Sequence, residues 1–204
     1  MPPIPELSEI RRSQILQAAL ATIATMGCAA ATMDDIAKAA GMSKGGLVHY
    51  FKSKHELFIS TFREFFERVF ERCRVSEAQY EHPMDKLLGF ELLFDANDSD
   101  VRDGYPILFD FMAIAVHDTE FRAIFDEWVQ NWVTLLSSAI RQGIEQGIFR
   151  ELDPDPMART ISAVYQGIAT RWYLAPEAHS YEWAINSYRA AIEGLMRPYR
   201  LDQP

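Results

Sequence analysis

Only two cysteines, Cys28 and Cys73, occur in the 204 residues, far apart and in no partner motif. That excludes a disulfide framework or a cysteine-based zinc site and fits buried thiols in a reducing cytosol. The histidines at 49, 55, 82, 117 and 179 are scattered, with no Glu-x-x-His or His-x-x-x-His pair at metal-ligand spacing. There is no nucleophile elbow and no phosphate-binding glycine loop, and Glu64 and Glu67 fall on a charged helix face. Enzyme chemistry, a metal and a cofactor are therefore not expected.

Long apolar runs are equally scarce. The uncharged stretch "SQILQAALATIATMGCAAATM" (13–33) follows Arg11 and Arg12 and imitates a secretory signal. Glu6 and Glu9 stand where such a signal is positive, and Gln14, Gln17, Thr22 and Thr25 interrupt the apolar part. Ile15, Leu16, Ala19, Leu20 and Ile23 instead share one stripe at helical spacing. No other run approaches the roughly 20 apolar residues of a membrane span. The expectation is a cytoplasmic protein with no membrane partner.

Charge is abundant but unevenly placed. Residues 1–54 carry Arg11, Arg12, Lys38, Lys44, Lys52 and Lys54 against Glu6, Glu9, Asp34 and Asp35, a net +2. The total is −9, so the remainder carries −11. An acidic chain thus keeps one end that a polyanion does not repel.

Strand alternation, internal repeats and low-complexity tracts are absent, and hydrophobic spacing is helical almost throughout. Gly27 is a natural stop for the first helix. "TMDD" (32–35) opens a short second helix with a near capping box, which ends at Gly41. Ser43 caps a third helix, Lys44 to about Tyr50, and Ser53 a fourth, striped by Phe58, Phe62, Phe65, Phe66, Val69 and Phe70. Further helices are expected over roughly 83–95, 104–117, 119–146, 154–174 and 180–197. The fold class is all-α with about nine helices, divided into a DNA-binding domain over 1–54 and a second domain over 55–204.

Two short capped helices joined by a turn at Gly41 and packed under a third make a helix-turn-helix. The second helix of such a motif enters the major groove with its N-terminal turn near bases and phosphates. Gly45 and Gly46 in that turn each cost about 1 kcal/mol against alanine, and they let backbone approach DNA where a side chain would hold it off. Lys44 can reach a base edge or a phosphate, and Ser43 can bond phosphate while it caps. Leu47 and Phe51 point inward, leaving Val48, His49 and Tyr50 on the exposed side. A flexible surface loop, or a structural helix-turn-helix without DNA, are the bland alternatives; cap, turn glycine, core leucine and trailing lysine at matching spacing argue against both.

"TMDDIAKAAGMSKGGLVHYFKSKHELF" (32–58) resembles the signature of the tetracycline-repressor (TetR) family of bacterial regulators. The resemblance implies a homodimer, a ligand pocket in the C-terminal helices, and repression of a palindromic operator relieved by a small molecule. By position it implies phosphate contacts from Ser43, Tyr50 and Lys54, base-edge proximity for Lys44, Gly45, Gly46 and His49, and a backbone contact from the capping Thr32. Gly46 and Val48 depart from the pattern, which usually has a small polar residue and a tyrosine there; valine can instead touch a thymine methyl. The stretch 141–176 resembles the family's C-terminal pattern, with a leaning to its BetI-like branch.

In the second domain the aromatic inventory is the lever. Phe62, Phe66, Phe109, Met112, Trp128, Trp132 and Tyr165 are candidates for a mostly apolar effector cavity, with Arg171 supplying polarity. The effector is expected to be apolar, aromatic or a quaternary ammonium cation. Ala163, Gly167, Ala190, Ala191 and Gly194 are small enough for close helix approach, and by analogy with the family they mark the dimer interface; packing within one chain is the alternative. A second functional reading keeps the DNA and drops the effector: an architectural DNA-binding helical protein.

Overall fold

The computed structural model describes residues 5–201, and among them every regular element is helical. The nine α-helices are α1 (Pro5–Ala30), α2 (Met33–Ala39), α3 (Lys44–Tyr50), α4 (Lys54–Glu77), α5 (Pro83–Leu88), α6 (Ser99–Ala115), α7 (Thr119–Glu145), α8 (Pro154–Leu174) and α9 (Tyr181–Met196). Short 3-10 turns occupy Glu91–Phe94 and Arg197–Tyr199, and one isolated antiparallel bridge joins Phe149 to Arg200. The all-α reading of the sequence holds.

Two compact units form: Met1–Val69 with Arg102–Phe125, and Phe70–Val101 with Asp126–Pro204. In the first, Ile15, Leu16, Ala19, Leu20 and Ile23 of α1 are all buried. Leu7–Ala30 is the one described stretch long and apolar enough to cross a membrane, and its stripe is a core face. Helix α1 packs on α2, and α2 on α3. Phe58, Phe62, Phe65 and Phe66 of α4 are buried, and the Phe62 ring lies 4.9 Å from Phe111 and 5.7 Å from Phe121.

The regular helix of α1 breaks at the expected stop, Gly27. That residue takes φ 78°, the left-handed region that glycine tolerates, and the chain kinks there before a last turn to Ala30. At the kink a side chain replaces the helical acceptor: the Cys28 N–H donates to Asp110 Oδ2 at 2.5 Å. A stop signal read along the sequence cannot include a carboxylate 82 positions away.

In the second unit α8 and α9 lie side by side. The buried Tyr188 of α9 donates its hydroxyl to the Leu87 carbonyl, and its ring meets Phe94 and Tyr165. Arg72 bridges Asp98 and Asp100 at the start of α6. The single helix expected over 83–95 breaks after Leu88. Gly89 caps it, at a place where a Cβ would come within 2.6 Å of the Tyr80 ring. Helix α6 begins at Ser99, earlier than the expected 104, with Asp98 accepting the Asp100 N–H at 2.8 Å.

Phe62 has no solvent exposure. Removing a ring from such a close-packed site costs about 3–5 kcal/mol. Phe62→Ala is expected to lower unfolding free energy by that amount in urea titration, and a loss under about 1 kcal/mol would mean the ring lines open space instead.

Candidate functional site

The helix-turn-helix is held by local devices. Thr32 and Asp35 form a complete capping box: the Asp35 N–H donates to Thr32 Oγ1 at 3.2 Å and the Thr32 N–H to Asp35 Oδ2 at 3.1 Å. Hydrogen bonds from the Thr32 hydroxyl and N–H hold the Asp35 carboxyl below its usual range. Gly41 turns the chain with φ 64°, and the Met42 N–H returns to the Ala37 carbonyl at 2.9 Å. Ser43 then caps α3 by accepting from the Gly46 N–H at 3.1 Å. Leu47 and Phe51 have no exposure and anchor the helix, with the Arg12 guanidinium 4.3 Å above the Phe51 ring.

These anchors turn one face of α3 outward. Ser43, Lys44, Gly45, Val48 and His49 are exposed, while Gly46 and Tyr50 are half-buried. The His49 and Tyr50 rings meet edge to face at 5.5 Å. Neither Gly45 nor Gly46 has a positive φ, and a Cβ would meet nothing nearer than Ser43 Oγ, at 4.0 and 3.4 Å. The fold therefore has room for a side chain at both positions and no conformational need of glycine.

Lys44, Lys52 and Lys54 are tethered, while Lys38 is exposed. Lys44 Nζ donates to Asp34 Oδ2 at 2.7 Å, and Lys52 Nζ reaches the Val48 and His49 carbonyls at 3.3 Å. Lys54 does not join the exposed face: its ammonium donates to the Cys28 carbonyl at 2.8 Å and lies 5.0 Å over the Phe58 ring.

The cavity candidates separate. Phe62 and Phe66 are closed core of the first unit, and Phe109 and Met112 are half-buried on α6. Trp128, Trp132 and Tyr165 belong to the second unit. There Trp132 stacks on Tyr165 at 5.8 Å, and with Ser162 and Gln166 they line a space of about 20 Å³, room for one water. Arg171 is not with them: it is exposed on α8 and donates to the Gly167 carbonyl at 3.0 Å. It shares with Ala163 and Gly167 a shallow surface groove of about 590 Å³, between Arg159 and Ile168. On α9, Ala190 and Gly194 are exposed and Ala191 half-buried, with open space around Gly194.

Another cleft, about 540 Å³, opens in the first unit beside Phe58, Ile114 and Phe121. Its polar groups are Lys54, His55, Asp110, His117 and Asp118. His55 Nε2 pairs with Asp118 Oδ2 at 3.0 Å. Asp118 is held below its usual value, first by the Phe121 N–H and also by His55. Sequence reading missed this cleft. Its walls come from α1, α4, α6 and α7, and no periodicity within one helix reports on that convergence.

The molecule can now be set beside known proteins. Residues 15–61 match the pattern described as bacterial regulatory proteins, tetR family, and residues 90–197 match BetI-type transcriptional repressor, C-terminal. The chain is 30% identical over 199 residues to the HTH-type transcriptional repressor KstR2 of Mycolicibacterium smegmatis, covering 95% of this chain and 94% of that one. A TetR-family transcriptional regulator from Rhodococcus sp. superimposes with a TM-score of 0.75 at 27% identity, over 91% of this chain and 98% of its own. A transcriptional regulator from Saccharomonospora viridis, crystallised with choline, shares the fold with a TM-score of 0.79 at 22% identity, over 89% and 95% of the two chains.

Burial pushes the Cys28 thiol up to about 12, with the Asp110 charge adding to it and Lys54 opposing; burial does the same to Cys73. Neither thiol is expected to react with a thiol-specific reagent at pH 8 in the native protein, and both should react in urea. Rapid native labelling of Cys28 would mean that the Gly27 kink opens readily.

Proposed function

The chain belongs to the TetR family of bacterial regulatory proteins, and on that premise we propose how it reads DNA and responds to a ligand. Members of the family bind DNA operators and small-molecule effectors and act as dimers. The protein is a ligand-responsive transcriptional regulator, not an enzyme. As a cytoplasmic homodimer it represses from a near-palindromic operator, with residues 1–54 reading DNA and 55–204 carrying the effector and dimer functions.

The observation that carries the DNA assignment is the glycine pair. Two helical glycines cost about 2 kcal/mol against alanine, and nothing inside the molecule crowds them. Their use lies outside it, in letting backbone come close to a phosphate or base edge. Around them, Lys44, Val48 and His49 face the bases, and Thr32, Ser43 and Tyr50 face phosphate. Lys54 joins them only by leaving the Cys28 carbonyl. Two copies of α3 would occupy successive major grooves, about 34 Å apart.

For dimerisation, the exposed small residues Ala163, Ala190 and Gly194, with the half-buried Gly167 and Ala191 beside them, support pairing of α8 and α9 across a two-fold axis. Arg171 belongs to this face rather than to a ligand cavity.

For the effector, Trp128, Trp132 and Tyr165 of the second unit supply apolar and aromatic surface for an apolar, aromatic or quaternary ammonium molecule. The space of about 20 Å³ must then widen on binding. Ligand shifts the equilibrium by its preference for that wider arrangement, and about 1–3 kcal/mol of coupling suffices. A second reading seats the effector in the first unit's cleft, favoured by a volume of about 540 Å³ that already fits a small molecule.

The test is sequence selection from random duplex DNA with purified protein, beside Lys44→Ala. An enriched palindrome is expected, and Lys44→Ala should weaken binding to it by about 1–3 kcal/mol with relaxed base preference. Binding without a consensus, falling steeply with salt, would leave only the phosphate term and overturn the assignment.

A further inference from the structure

Lys44 and Asp34 form an ion pair at 2.7 Å, with side chains 58% and 65% exposed. It is the one hydrogen-bonded partnership of either side chain among the described residues. An exposed pair of this kind contributes little to stability, and an exposed carboxylate in the first turn of α2, where Asp34 lies, adds only a small gain from the helix dipole. The fold does not need Asp34 for capping either, since Thr32 and Asp35 complete the box at the start of α2. A carboxylate beside a DNA-reading surface also opposes approach to a polyanion. Its value is therefore neither stability nor general affinity.

An ammonium has three donors and no directional preference of its own. Left free at the start of α3, Lys44 would take the nearest phosphate, a contact that positions the protein but carries no sequence information. With one donor committed to Asp34, two remain, enough for the N7 and O6 acceptors of a guanine. The pair is electrically neutral, so it gains little from a phosphate and releases few counterions.

We propose that Asp34 is a positioning residue for operator specificity: it holds Lys44 off the phosphate backbone and directs it to a base edge. This rests on the assignment of α3 as the DNA-reading helix. Two of the neighbouring lysines show the same economy of free charge, Lys52 held by the last carbonyls of α3 and Lys54 by Cys28, while Lys38 on α2 stays exposed.

The test uses the full-length protein as wild type, Asp34→Asn, Asp34→Glu, Lys44→Ala and the double variant Asp34→Asn/Lys44→Ala. Each is titrated with the selected operator and with a random duplex of equal length across a salt series. Asp34→Asn is expected to bind the random duplex more tightly and to steepen the salt slope by about 0.9 per half-site. It should also lower the operator-to-random ratio roughly tenfold, the discrimination of one good base contact. Asp34→Glu should restore most of the ratio, and thermal melting should be unchanged throughout. In the Lys44→Ala background Asp34→Asn should leave the ratio where it was. Equal effects of Asp34→Asn in both backgrounds would mean simple removal of a repulsive charge and would overturn the proposal, as would an unchanged ratio. A wild type that selects no sequence overturns the DNA-reading assignment and this inference with it. A wild type that selects an operator while Asp34→Asn keeps the ratio overturns this inference alone.

Discussion

The backbone of Cys28 is the point on which the first unit turns. Its N–H is taken by the Asp110 carboxylate and its carbonyl by the Lys54 ammonium. Helix α1 kinks immediately before it, at the one residue type that accepts the required φ without strain. The backbone of a single residue is thus held by α6 on one side and by the start of α4 on the other. The chain leaves it for Ala31 and the N-cap of α2 within four residues. The entry angle of the helix-turn-helix is set there by two charge-assisted hydrogen bonds, which are about twice as strong as neutral ones.

How much of this could be read along the chain differs by element. The helix-turn-helix was legible because its devices are local: the Thr32–Asp35 box, the Gly41 turn and the Ser43 cap each lie within a few residues of what they hold. The α7, α8 and α9 ranges were legible for the same kind of reason, since Asp153 and Ser180 cap next to a regular apolar stripe. What escaped depends on partners distant in sequence. Gly27 could be read as a break but not its Asp110 partner, and nothing local shows that the Tyr80 ring packs against Gly89. The cleft beside Phe58 and Phe121 takes walls from four helices.

The aromatic residues illustrate the limit from the other side. Phe62 and Trp132 look alike in sequence, each on an amphipathic stripe. The first is enclosed by Phe58, Phe66, Phe111 and Phe121, and the second borders a small space with Tyr165. Helical spacing says that a side chain faces inward and nothing about whether the interior there is full. Arg171 shows the same for a polar residue: one helical face of α8 holds it with Ala163 and Gly167, outside.

The first unit is assembled from two stretches of chain, Met1–Val69 and Arg102–Phe125. Helices α2 and α3 have seven residues each, well below the roughly 12–15 at which an isolated helix holds in water. The stretch that carries the DNA-reading motif is therefore not a portable module. A chimera that grafts residues 1–54 onto another regulator's body would leave Cys28 facing whatever residue that body has in place of Asp110. Exchange of recognition between such proteins has to move two segments together, so in this architecture the heritable unit of DNA recognition is discontinuous in the gene.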